Sequence, residues 1–173
     1  APLDRDTETP FGTASVSLAD LMSGRAEMVG GETEVSFRDY VEEILRSGLP
    51  GVRDLSGRAR TAQLDGYVSR IVDRDFPELG LNVRNPAGLR RWMSAYAAAT
   101  STSTSFEKIR DASTAGHEEP PAKTTIMPYR DILERLWIIE PIEAWVPSGN
   151  QISRLSHPPK HQLVDPAIAA RLL

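Results

Sequence analysis

The chain has 173 residues, 40% of them hydrophobic and 25% charged, enough for one medium or two small globular domains. It holds no cysteine, which excludes disulfides, thiol catalysis and cysteine-based zinc sites. The formal charge of -4 is uneven: residues 1–45 set three arginines against ten carboxylates, a formal -7, and residues 46–173 set seventeen cations against fourteen carboxylates, a formal +3.

No apolar run is long enough to span a bilayer, and the N-terminal residues lack a secretory layout, so a cytoplasmic protein is expected. Residues 1–35 read as an irregular acidic segment in which only VSLADLM is apolar and Gly30-Gly31 is a break. Ser36 and Asp39 resemble a capping box that opens a helix. In it Phe37, Tyr40, Val41, Ile44 and Leu45 recur at helical spacing, and Gly48 is expected to stop it. A second helix is predicted over Arg58–Asp75 with Leu64, Tyr67, Val68, Ile71 and Val72 on one face, closed by Pro77. Residues 36–80 make a helical subdomain on this reading.

Asn85-Pro86 predicts a capped helix start, followed by Leu89, Trp92, Met93, Tyr96 and Ala97 at core spacing. Thr104 and Glu107 can form a capping box for a short helix. A further helix is predicted with Thr125 as cap, Pro128 in its first turn, and Tyr129, Ile132, Leu133 and Leu136 inward. WIIEPIEAWVP and RLSHPPKHQLV then read as two short strands joined by the turn PSGNQ. Asp165-Pro166 opens a last helix that ends on Leu172-Leu173 without a polar tail, which gives the chain the look of a piece of something longer. The expected fold class is mainly α with a small β-hairpin wing: a helical subdomain followed by a winged-helix module over residues 81–173. In such a module the third helix often enters the DNA major groove and the wing touches the backbone.

Six strings, LMSGRAE, YVEEILRSGLPGVR, LDGYVSRIVDRDFPELG, NPAGLRRWMSAYAAATSTSTSFEKIRDAST, KTTIMPYRDILERLWIIEPIEAWVP and KHQLVDPAIAARLL, carry a resemblance that covers the chain from about Leu18 onward. They resemble the C-terminal region of bacterial AAA-type ATPases that carry a domain of unknown function after the ATPase core. The resemblance implies a P-loop core before this region, a winged-helix-like part within it and a nuclease-like domain after it. It also implies that ATP and magnesium belong to the parent protein. No G-x-x-x-x-G-K-[ST] loop occurs here, so the phosphate cradle is absent from the chain and no cofactor is expected in it. The missing ATPase core and C-terminal domain become expected partners, and residues 1–35 the remnant edge of that core.

On this reading Arg25, aligned with a Gly-Arg pair of the family, is a candidate for nucleotide sensing, against the plainer reading of a surface arginine. Asp73, Arg74 and Asp75 could suggest acid–base work, but adjacent helical residues do not share a face, and local pairing is the simpler account. His157 and His161 are four apart with Pro158 and Pro159 between them, which forbids helical ligand geometry, and His117 stands in a loop, so no metal site and no catalytic residue is assigned. Candidates for DNA contact are Lys123, Thr124, Thr125 and Arg130 at the third helix, with Arg154, Lys160 and His161 in the wing. The expected function is that of a non-catalytic accessory region coupling nucleotide state to a partner, with DNA as a candidate. The alternative is a protein-interaction module with no nucleic-acid role.

Overall fold

The computed structural model describes residues 17–25, 34–114, 121–145 and 157–173. Gly30-Gly31, His117, the PSGNQ turn and Arg154 lie outside the described residues. The chain divides into two compact units, Ala1–Glu43 and Ile44–Leu173, and the division falls inside one helix.

In the first unit, VSLADLM contributes the short helix α1 (Leu18–Met22), where sequence predicts a loop. Helix α2 (Phe37–Arg46) starts at the expected box: the Ser36 amide donates to Asp39 Oδ2 at 2.8 Å, and the Asp39 amide donates to Ser36 Oγ at 3.3 Å. These bonds from Ser36 hold the Asp39 carboxyl below its ordinary pKa. The left-handed residue that ends α2 is Ser47, which already belongs to the second unit, at φ 70°, one position before the expected Gly48. A serine is tolerated there because its hydroxyl is tied down, donating to Asp165 Oδ2 at 2.6 Å.

In the second unit, α3 (Pro50–Arg53) leads into α4 (Gly57–Arg70), which runs on through a π-helical turn, Ile71–Asp75, into α5 (Phe76–Glu78). Pro77 therefore does not stop the helix. Its ring would collide with the carbonyl four residues back in a regular α-helix, and the wider turn just before it relieves that crowding. Helix α6 (Pro86–Ala98) begins as expected, with Asn85 Oδ1 accepting from the Gly88 amide at 2.8 Å, and buries Leu89, Trp92, Met93, Tyr96 and Ala97. Helices α7 (Phe106–Ala112) and α9 (Pro166–Leu172) and the π turn pack on α6, and α9 also packs on α4. Phe76 meets Tyr129 of α8 (Lys123–Arg135) edge to face at 5.9 Å. Each of the large side chains among these contributes about 1.5–3 kcal/mol, which is why α6 sits at the centre.

Two caps differ from expectation. Ser105, not Thr104, caps α7, accepting from the Lys108 amide at 3.4 Å. Helix α8 begins at Lys123, so Pro128 lies inside it and supplies no amide for the Thr124 carbonyl.

The winged-helix module and its β-hairpin are not found: the described residues form helices and no β-strand. The segments expected to pair do run antiparallel, but only as two isolated bridges, Ile139 with Leu163 and Ile142 with Lys160. At the next bonding position beyond Ile142 and Lys160, Pro158 offers no amide to extend the ladder. His161 turns to the other side instead: its amide donates to the Thr102 carbonyl and its own carbonyl accepts from the Ser101 amide.

Helix α8 ends without glycine. Trp137, at φ 55°, takes the left-handed position, with the Trp137 amide donating to the Glu134 carbonyl at 3.0 Å and the Ile138 amide to the Leu133 carbonyl at 2.9 Å. That geometry costs a bulky L-residue about 1–2 kcal/mol, and the indole is 69% exposed, so it regains little by burial. Trp137→Gly is expected to raise stability by about 1 kcal/mol in urea titration; a loss of stability would contradict the account.

Candidate functional site

The predicted cations of α8 meet α7 across a cleft of about 230 Å³. Phe106, Ile126 and Met127 give it an apolar floor, and Arg110, Lys123 and Arg130 stand at its rim. Each cation has a carboxylate. Lys123 Nζ donates to Glu107 Oε1 at 3.0 Å, a contact that holds the Glu107 carboxyl below its ordinary pKa. Arg130 Nε donates to Glu134 Oε1 at 2.7 Å, and its guanidinium lies 4.5 Å over the Phe106 ring. Arg110 donates twice to Asp111 Oδ1, at 3.1 and 2.9 Å.

A stack of rings backs this cleft. His161 packs edge to face between Phe106, at 4.7 Å, and Tyr96, at 5.1 Å, and Tyr96 in turn lies 5.4 Å from Trp92. His161 Nε2 lies 2.6 Å from the Thr104 carbonyl, which can only accept, so Nε2 carries the proton. In the neutral ring Nδ1 then accepts from the Tyr96 hydroxyl, 3.3 Å away. Burial, with Glu134 adding to it, pushes the Tyr96 phenol up to about 12, so that hydroxyl keeps its proton at neutral pH.

The seven residues predicted for DNA contact are therefore divided. Lys123 and Arg130 share the cleft, and Thr124 and Thr125 are exposed on the first turn of α8. Lys160 is exposed on the bridged segment, beside a shallow hollow that Trp145 also lines. His161 is 1% exposed and cannot reach a phosphate, and Arg154 lies outside the described residues. Phosphates approaching the cleft would also meet Glu107 and Glu134. Among signals that sequence reasoning missed, the pairing of Arg130 with Phe106 leaves no mark in spacing, and Arg110 was not singled out.

Arg25 is exposed and donates from Nε to Asp20 Oδ1 at 2.9 Å. Asp73, Arg74 and Asp75 form no shared site: they pair separately with Arg90 at 3.4 Å, Glu78 at 2.7 Å and Arg70 at 3.4 Å. Among the described residues no group of three metal-ligating side chains converges, and no helix is long and apolar enough to cross a membrane.

Helix α2 carries a second feature. Its apolar stripe of Phe37, Tyr40, Val41, Ile44 and Leu45 has the spacing of a core face, yet the five side chains range from 38% exposed at Val41 to 84% at Phe37. No residue of α2 is buried. The flanks carry Arg38, Asp39, Glu42, Glu43 and Arg46.

With this geometry in place, the chain can be set beside known families. It belongs to the family described as a domain of unknown function, DUF8612, which matches residues 37–173 and so begins with α2. No curated protein and no solved structure matches the chain.

Proposed function

We propose that the chain is a non-catalytic docking module in which α2 is the helix a protein partner takes up. The single observation behind this reading is the exposed stripe of α2, spaced i, i+3, i+4, i+7 and i+8 as in amphipathic helices that lie in an apolar groove. About half of the surface of these five residues is exposed, and burying it would release on the order of 5 kcal/mol before the cost of association. The partner in this proposal is the ATP-hydrolysing core implied by the resemblance to AAA-type ATPases. ATP and magnesium would be held in that core, and the module would report its nucleotide state.

Duplex DNA is the less favoured partner, because the cleft cations are already matched by carboxylates and His161 is buried. The test is calorimetric mixing of the chain with the ATPase segment encoded in the same reading frame. Ile44→Glu and Val41→Glu are each expected to weaken association at least about tenfold with unchanged melting. Undiminished binding by both variants would overturn the docking role of α2. A reading frame without a P-loop would remove the ATPase as partner. Salt-sensitive binding of duplex DNA, lost on Lys123→Ala and Lys160→Ala, would move the assignment to nucleic acid.

A further inference from the structure

We infer that the cleft between α7 and α8 binds a carboxylate carried on a small apolar body. The floor asks for an apolar ligand: Ile126 is buried, Phe106 half-buried, and Met127 is 64% exposed although it has no polar group to show to water. Methionine in such a place adapts to a varied apolar partner. The rim asks for an anion, since three cations face the space and, among the described residues, Glu107 is the one carboxylate lining it.

The arginines are held in place before any ligand arrives. Glu134 and the Phe106 ring fix Arg130, and Asp111 fixes Arg110. An arginine fork has more donors than one carboxylate takes up, so both can still grip a second anion. Among the described residues Lys123 is held by Glu107, in a pair more than half exposed on each side, and such pairs are weak. A ligand carboxylate can therefore displace Glu107 at little cost. The same surroundings argue against a polyanion: Glu107 lines the cleft, and Asp111 and Glu134 already pair with its two arginines, which leaves room for one head charge rather than a chain of phosphates. A volume of about 230 Å³ suits a ring or a short acyl chain. Such a group occurs in free small acids and at the C-terminus of a protein chain that ends in an apolar residue.

The test is nitrogen–proton NMR titration of the whole chain with hydrocinnamate, with its neutral amide, and with a pentapeptide ending in phenylalanine with a free carboxylate. Saturable shifts at Phe106 and Met127 are expected with the acid, and about tenfold weaker binding with the amide. Arg110→Gln and Arg130→Gln are each expected to weaken the acid by about tenfold. Met127→Glu, an exposed substitution, is expected to abolish binding without changing the melting temperature. A tighter pentapeptide assigns the head group to a protein tail, and a tighter hydrocinnamate to a free acid. Absence of saturable shifts with acid and pentapeptide alike, equal binding of acid and amide, or unchanged binding by Arg130→Gln and Met127→Glu would overturn the site. None of these outcomes depends on the docking role of α2.

Discussion

Asp165→Ala is expected to destabilise residues 44–173 by about 3–5 kcal/mol in urea titration followed by tryptophan fluorescence. The side chain is 5% exposed and answers four donors. Oδ1 accepts from the amides of Ala167, at 2.8 Å, and Ile168, at 3.3 Å, which opens α9. Oδ2 accepts from the Ser47 hydroxyl at 2.6 Å and the Gly48 amide at 2.7 Å, which pins the left-handed end of α2. Loss of the cap alone costs about 1 kcal/mol, and each buried donor left without an acceptor adds a further 1–3 kcal/mol. Asp165→Asn separates the two halves of this account. It can keep the cap with its carbonyl oxygen but turns an NH2 group towards Ser47 and Gly48, so a loss of about 2 kcal/mol is expected. A loss below about 1 kcal/mol for the alanine variant would show that the four contacts contribute little.

His161→Ala is the second large effect, expected at about 3–4 kcal/mol by the same titration. The substitution empties the space between the Tyr96 and Phe106 rings, leaves the Thr104 carbonyl without its partner and leaves the Tyr96 hydroxyl with only its Gln162 backbone contact among the described residues. A wing residue touching DNA would behave in the opposite way, with DNA affinity falling and stability unchanged. An unaltered melting curve for His161→Ala would therefore sink the buried-stack account.

These two residues mark where the sequence could be read and where it could not. The role of Asp165 as a cap was legible, because Asp-Pro at a helix start has one strong local reading, as did Asn85-Pro86 and the core stripe of α6. Its other half, the reach back to Ser47, spans more than a hundred residues and leaves no local trace. His161 was misplaced for a related reason. Short runs of β-branched and aromatic residues look like a hairpin, but strand pairing is decided by which amides are available, and Pro158 withdraws the next one while residues 101 and 102 bond the other edge of His161. The α2 stripe was visible as a helix face, since spacing reports periodicity. Spacing does not say whether the surface that receives a face belongs to the same chain. At the cleft, Arg130 with Glu134 was a readable i,i+4 pair, whereas Phe106 beneath it came together only through packing.

The bond between Ser47 and Asp165 has a consequence for synthesis in the cell. The chain is made from its N-terminus, so α2, α3 and α4 leave the ribosome long before the carboxylate that secures the end of α2 exists. Until Asp165 emerges, Ser47 has no reason to hold its left-handed conformation, and the helices ahead of it stay open to chaperones or to early assembly with a partner. The end of α2 is therefore secured only once Asp165 has been made, and closure of residues 44–173 waits for it.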